Sequence, residues 1–519
     1  MTVKLTSDQV PDWARQIAAR VVERFPDQQI YTGAAGISPS GHIHFGNYRD
    51  VATTLAVLEA LAADGHQTRF VYSWDDYDRF RKVPAGMSDS LSEHIGKPLS
   101  AVPDPEGTLE SYAARFEQEF EESMKRMGIE IEYIYQTEQN QSGVYDDAII
   151  TALKAREDIA SVLFSLMSDK AKRANKLNWE HYRDGYYPVL VYSAESGKDF
   201  TTVTGYDGDR TLTYLDKESQ QKHTLEIGKD HNLKLAWKAD WPMRWAHEGV
   251  NFEPAGVDHG SPGSSFDAGD RIITSVFKAS PPVHVTYGFV GIQGGGGKMS
   301  GSKGTGVTIG QLLEIYQPEV LKWLYARKQP KQYFSLAFDT EIFRQYDEYD
   351  RAVPAEPKAL PFRQAVAFGQ IVSWDQKKVG HITAAIGETY DIDSVEQRLP
   401  RAKAWLETYN PDQQFELLEK PNTEYAATLN EEAHVQVAAL AEKLANDLLD
   451  VAALNDLVYA IPKDPNLDEI ANKPRQRQFF THVYQLLIGR DTGPRLSTFL
   501  WAADRERVRT LLDIEPGNQ

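Results

Sequence analysis

Two short apolar runs, residues 29–33 and 68–74, are separated by a Gly/Ser/Pro-rich loop at 36–47 and an amphipathic stretch at 48–63. In that stretch Val51, Leu55, Leu58 and Leu61 recur at spacings of three and four, which predicts a helix with one apolar face. Strand, loop, helix, strand is a βαβ unit. Its right-handed crossover makes the two strands neighbours in a parallel sheet. Ligands of such sheets sit beyond the carboxyl ends of the strands, and both the small-residue loop and the acidic run Asp75-Asp76-Tyr77-Asp78 fall there.

At 519 residues the chain exceeds one ordinary core, so two to four domains are expected. Residues from about 84 to 110 are turn-rich, and helical spacing returns over 112–127 and 144–168. From 185 to 223 the pattern becomes short-stranded. A strand-and-helix pattern resumes at 252 and runs to the glycine-rich segment near 298. The expectation is an α/β domain over 1–340 with an insertion at about 84–235, β-rich at about 185–225. An all-helical region follows over 341–519, where 395–409, 431–453 and 476–489 carry helical spacing between Pro and Asn/Asp breaks.

Composition removes several classes of function. Cysteine is absent, which excludes disulfides, thiolate zinc sites and cysteine nucleophiles. A net charge of −19 argues against non-specific coating of nucleic acid, while leaving room for a local basic groove. No run approaches the roughly 20 apolar residues that span a bilayer. The first ten residues lack the apolar core of a secretory signal, so a cytoplasmic protein is expected.

A small-residue βα turn lets a phosphate chain approach the backbone, and the next helix offers free N–H groups and a positive dipole end. His42 and His44 add donors there. The ordinary alternative is a tight turn in which Gly36, Gly41 and Gly46 relieve strain and the histidines face solvent. The second loop, 294–304, is too glycine-rich to hold one conformation unaided. It can bring Lys298 or Lys303 to a charge developing in phosphoryl or nucleotidyl transfer. Its alternative is a solvated linker.

Taken together, the two loops resemble the ATP-handling signatures of a class I aminoacyl-tRNA synthetase. His44-Phe45-Gly46-Asn47 is similar to the HIGH motif and Lys298-Met299-Ser300-Gly301-Ser302 to the KMSKS motif. The wider sequence looks like class I lysyl-tRNA synthetase. The segments that carry this are 38–47, Ser73-Trp74-Asp75-Asp76-Tyr77-Asp78-Arg79, Ala239-Asp240-Trp241-Pro242-Met243-Arg244-Trp245, Glu253-Pro254-Ala255-Gly256-Val257-Asp258-His259 and Gly489-Arg490-Asp491-Thr492-Gly493-Pro494-Arg495. The resemblance implies a Rossmann-like parallel-sheet catalytic domain with a β-rich insertion and an all-helical tRNA-binding region. It also implies a reaction: lysine carboxylate attacks the α-phosphorus of ATP, which travels with Mg2+, and lysine then passes to tRNA(Lys). His42, His44 and Lys298 would be catalytic. Ser38, Gly41, Gly46, Asn47, Gly256, Asp258, Met299, Ser300, Ser302 and Lys303 would hold ATP, with Asp258 on the ribose. Asp258 as a cap of the helix starting near Ser264 is the alternative. Gly36 and His259 would lie beside the amino acid.

A lysine pocket needs a carboxylate for the ε-ammonium and apolar walls for the methylenes. Asp75 and Asp76 are the candidates for the charge, with Trp237, Trp241 and Tyr287 as walls. A solvated turn and core tryptophans are the plain alternatives. The chain also departs from the family. Many members carry Cys-x-x-Cys-Gly pairs in the insertion, where this chain has Ser193 and Ser196, so no structural zinc is expected and packing and hydrogen bonds must hold the insertion. Gly301 stands where many members have a second lysine. In the helical region Lys473, Arg475, Arg477, Arg490 and Arg495 form a basic cluster near Phe479, Phe480 and Tyr484, which could stack on bases or simply cover a core. The rival readings are a paralogue that activates an amino acid for another acceptor, a non-catalytic RNA-binding relic, and a different amino acid. Monomer is the favoured state.

Overall fold

The computed structural model describes residues 10–261, 263–293 and 306–514. Lys298, Met299, Ser300, Gly301, Ser302 and Lys303 lie outside the described residues. The chain divides into two compact units, one of residues 1–313 with 318–336 and one of 314–317 with 337–519. Among the described residues no helix is long and apolar enough to cross a membrane.

The first unit is built on a five-stranded sheet, parallel throughout, whose strands lie side by side in the order Val283–Tyr287, Val250–Gly256, Ile30–Ile37, Gln67–Trp74 and Glu132–Tyr135. Its strands are β1 (Ile30–Ile37), β2 (Gln67–Trp74), β3 (Glu132–Tyr135), β9 (Val250–Gly256) and β10 (Val283–Tyr287). β1 runs further than its apolar stretch suggests because it pairs with β2 all the way from Ile30↔Gln67 to Ile37↔Trp74. Helix α1 (Asp12–Arg24) and helix α2 (Tyr48–Ala63) pack on one another, and α2 lies against β1. Gly33 permits this approach, since a Cβ there would stand 2.9 Å from Thr54 Cγ2. α2 is buried well beyond the single apolar face its sequence predicts. Val51, Val57, Leu58 and Leu61 are in the core, each contributing about 1.5–3 kcal/mol, and Thr53 and Thr54 are buried with their hydroxyls bonded to helix carbonyls.

β3 belongs to the segment between 84 and 235 and closes one edge of the sheet. Helix α3 (Tyr112–Arg126) precedes it, capped by the Ser111 hydroxyl, which accepts the Ala114 N–H at 3.1 Å. Beyond lie an antiparallel pair, β4 (Val189–Val191) with β8 (Leu233–Leu235), and a three-stranded antiparallel sheet of β5 (Thr201–Tyr206), β6 (Thr211–Asp216) and β7 (Lys222–Glu226). Ser193 donates its hydroxyl proton to the buried Asp216 carboxylate. The same Ser193 Oγ accepts the Glu195 N–H at 3.1 Å, and Asp216 Oδ1 accepts the Glu218 N–H at 2.7 Å. The Tyr214 hydroxyl accepts the Ala194 N–H at 3.1 Å. Two turns are thus fastened by neutral and carboxylate hydrogen bonds.

β11 (Val290–Ile292) and β12 (Phe334–Leu336) pair in parallel within the first unit. The described part of the second unit is helical. Its helix Ile392–Tyr409 carries Arg398, which is buried and bonds Asp350 Oδ2 at 2.7 Å. The apolar pattern over 431–453 breaks into Glu431–Asn446 and Val451–Ala460, because Asp450 accepts the Ala453 N–H at 2.7 Å and starts a new helix. Helix Glu469–Ile488 stops at Gly489, whose φ of 68° is the left-handed conformation favoured at a helix end.

Candidate active site

Four expected site segments among the described residues emerge at the carboxyl ends of the sheet strands: 38–47 after β1, Asp75–Asp78 after β2, Val257–His259 after β9 and Tyr287 at the end of β10. β1 is the switch point, with β2 on one side and β9 on the other. Two hollows open there.

The larger is a cleft of about 720 Å³ that gathers His44, Gly46, Asn47, Gly256, Asp258, His259 and Tyr287. His44 Nδ1 accepts the Gly46 N–H at 3.0 Å, so the ring proton sits on Nε2 as a donor. Burial lowers the His44 pKa and keeps the ring neutral. The α2 amino terminus begins at the rim with Asn47, whose side chain makes no cap bond; its first turn is closed by backbone bonds, Asn47 N–H to His44 O at 2.9 Å and Asp50 N–H to Asn47 O at 3.1 Å. Residues that follow the 294–305 segment dock directly on this loop. His44 forms an antiparallel bridge with Thr308, and Phe45 donates its N–H to Val307 O at 2.9 Å.

His42 turns elsewhere. Its Nδ1 bonds Glu119 Oε2 on α3 at 2.7 Å, and this bond raises its pKa. Ser38 donates to Asp78 Oδ2 at 2.9 Å, and neither Ser38 nor Gly41 lines the cleft. Asp258 is exposed and faces the cleft; Ser264, not Asp258, occupies the cap position of helix Ser265–Ile272.

The smaller hollow, about 50 Å³, lies among Gly36, Ser73, Asp75, Trp237, Trp241, Arg244 and Glu253. Trp237 and Trp241, one turn apart on helix Trp237–Glu248, stack with centroids 4.9 Å apart. Trp241 donates its indole N–H to Glu253 Oε1 at 2.9 Å and Trp245 donates to the other oxygen. Asp75 faces this hollow but is engaged by Arg244 Nη1 at 2.7 Å. Arg244 also pairs with Asp240 at 3.0 Å, and Lys234 lies 2.8 Å from Asp78 and 3.8 Å from Asp240. Asp76 leaves in the other direction, accepts the Thr137 N–H at 2.8 Å and lines a separate cavity.

A carboxylate that the sequence reading passed over stands between the two hollows. Asp50, in the first turn of α2, accepts the Gly36 N–H at 3.4 Å and the Tyr287 hydroxyl, while its Oδ1 is sealed from solvent without a hydrogen-bond partner. Burial pushes its pKa well above the usual carboxylate range. Its signal was present as an acidic residue on the same helix face as Thr54, Leu58 and Leu61. His259 joins the hollows on another side: it lines the cleft, and its ring meets Trp241 edge-on at 5.7 Å.

In the second unit the aromatic candidates are largely core. Phe479 is 1% and Tyr484 7% exposed, which removes both as stacking platforms, and Phe480 packs partly buried against Tyr459. Arg475 binds Glu432, Arg490 bonds Asp412 O at 2.5 Å and Arg495 bonds Asn455 Oδ1 at 3.0 Å. Lys473 and Arg477 remain exposed on helix Glu469–Ile488.

Fold and cleft together define an α/β protein with a parallel sheet and a candidate site at its switch point. The family described as tRNA synthetases class I (K) matches residues 11–364, and the chain belongs to that family. It is 38% identical to a Lysine--tRNA ligase from Streptomyces coelicolor, covering 99% of this chain and 100% of the relative. It is also 33% identical to a Lysine--tRNA ligase from Pyrococcus furiosus, over 97% and 99%, and 31% identical to one from Treponema pallidum, over 97% and 98%.

Proposed function

We propose that this chain activates L-lysine with ATP and transfers it to tRNA(Lys). The cleft around His44 and Asp258 takes ATP, and the tryptophan-walled hollow takes the lysine side chain. The observation that carries this is the contact between the two hollows, through Tyr287 and Asp50 on one side and His259 and Trp241 on the other. In the first step a lysine carboxylate oxygen bonds the α-phosphorus and the bond to pyrophosphate breaks. In the second a terminal tRNA hydroxyl attacks the lysyl carbonyl and AMP leaves. No protein atom bonds covalently in either step, so the chain contributes position and charge. His44 donates from Nε2 to a phosphate oxygen. Lys298, with Met299, Ser300, Ser302 and Lys303, belongs to the segment whose exit is tethered at His44 and supplies cation to the leaving phosphates.

Magnesium enters as an ion carried by the ATP phosphates. Asp50 and the Tyr287 hydroxyl read the ε-ammonium, because Asp50 bonds Gly36 of the small hollow and Tyr287 of the cleft and keeps an oxygen without a donor. Lys473 and Arg477 offer charge to the tRNA backbone, and the acting species is a monomer. The test is charging of total tRNA with each of the twenty amino acids offered separately with ATP and magnesium. Lysine alone should be charged; charging of another amino acid, or lysine-dependent pyrophosphate exchange with no charging, overturns the reading.

A further inference from the structure

The cavity that Asp76 enters measures about 820 Å³ and lies apart from both hollows, between α3 and the helix Gln136–Gln141. Asp76, Glu110, Glu117, Glu121 and Glu138 line it, and no lysine or arginine does. Two of these carboxylates have their bonding settled or partly settled. Glu121 Oε1 accepts Trp74 Nε1–H and the Tyr135 hydroxyl, both at 2.8 Å, and Asp76 accepts the Thr137 N–H. Glu117 is different. It is 7% exposed, lines the cavity, and its Oε1 is sealed from solvent with no hydrogen-bond partner.

A buried carboxylate without a donor costs free energy that a cation would recover. The cation is not a caged divalent ion, because no three of these carboxylates converge on one point among the described residues. They are instead spread along the wall, on the β2 carboxyl end, the approach to α3, α3 itself and the helix after β3. Leu109, Ala113 and Ala114 supply small apolar surface between them. Separated anionic points joined by apolar surface match ammonium groups joined by methylenes, each ammonium bringing up to three donors.

We propose that this cavity binds a linear polyamine, with Glu117 and Asp76 as the buried anchors. Burial, with Asp76, Glu121, Glu110 and Glu138 facing it, pushes Glu117 up to about 8, and burial pushes Asp76 up to about 6. Glu117 therefore keeps its proton at neutral pH in the free protein and gives it up when an ammonium arrives. Binding releases a proton and tightens as pH rises towards 8.

Isothermal titration of the full chain with spermidine, in two buffers of different ionisation enthalpy, tests this. The expected result is saturable binding whose heat reports proton release at pH 7. Affinity should fall about tenfold in Glu117→Gln, the loss of one charge-assisted contact, and by a similar factor in Asp76→Asn, while Glu117→Gln keeps lysine charging. Absence of saturable binding to the unmodified protein overturns the proposal. So does unchanged affinity in whichever of the two variants folds, equal displacement by magnesium chloride at matched charge, or displacement by L-lysine, which would make the cavity part of the amino-acid site.

Discussion

Arg244 Nη1 lies 2.7 Å from Asp75 Oδ1 at the wall of the small hollow. That pairing leaves Asp75 committed within the protein, whereas Asp50 keeps a sealed oxygen with no donor. The two aspartates should therefore respond oppositely to neutralisation. Asp50→Asn removes the proposed ammonium partner and raises the lysine KM in pyrophosphate exchange by about tenfold to a hundredfold, the worth of a hydrogen bond to a charged group. It should leave the melting temperature level or higher, since it deletes a desolvated carboxylate. Asp75→Asn takes a counter-ion from buried Arg244 and lowers stability by about 3 kcal/mol in urea unfolding.

His44 acts as a neutral donor. His44→Ala should lower the rate of adenylate formation by about 100- to 1,000-fold at unchanged melting temperature, the usual cost of losing a preorganised donor. The folded pKa is below the ordinary value of 6.5, so the working neutral form persists on acidification to below 6.5. For stability the sign is the same: the buried neutral ring is compatible with folding above the unfolded value, and stability is lost as pH falls below it. A pH–rate profile and melting curves between pH 5 and 8, roughly the span of histidine titration, check both.

Two glycines separate activity from fold. A Cβ at Gly46 would stand 2.7 Å from His44 Cε1, the end of a ring that can turn. Gly46→Ala should cut adenylate formation while melting normally. A Cβ at Gly36 would stand 2.6 Å from Ser73 O, which is β2 backbone. Gly36→Ala must spread β1 from β2 and should cost about 1–3 kcal/mol of stability, the price of overpacking.

Ser193 and Asp216 hold the insertion without thiolates. Ser193→Ala leaves a buried carboxylate oxygen short of its donor and should destabilise the first unit by about 1–3 kcal/mol in urea unfolding. A strong chelator should leave the melting temperature of the unaltered chain unchanged.

The βαβ unit, the loop that presents His44, Asp258 at a strand end and the helical character of the later region could be read from the sequence, because each is coded by contiguous residues: an apolar period, a glycine loop, a capping residue. Folding decided the rest. Asp75 and Asp76 are neighbours in the chain, yet successive side chains beyond a strand diverge, so one meets Arg244 and the other the polyanionic cavity. Asp50 gains meaning only from Gly36, fourteen residues before it, and from Tyr287, which the parallel sheet brings to it across much of the chain. Glu117 reads in sequence as an ordinary helical glutamate, and only its packing leaves Oε1 without a donor. Local pattern determines which elements form and where backbone can meet a phosphate. Which buried carboxyl group is left with an unpartnered oxygen depends on partners from distant segments, and those are fixed only when the sheet and its helices close.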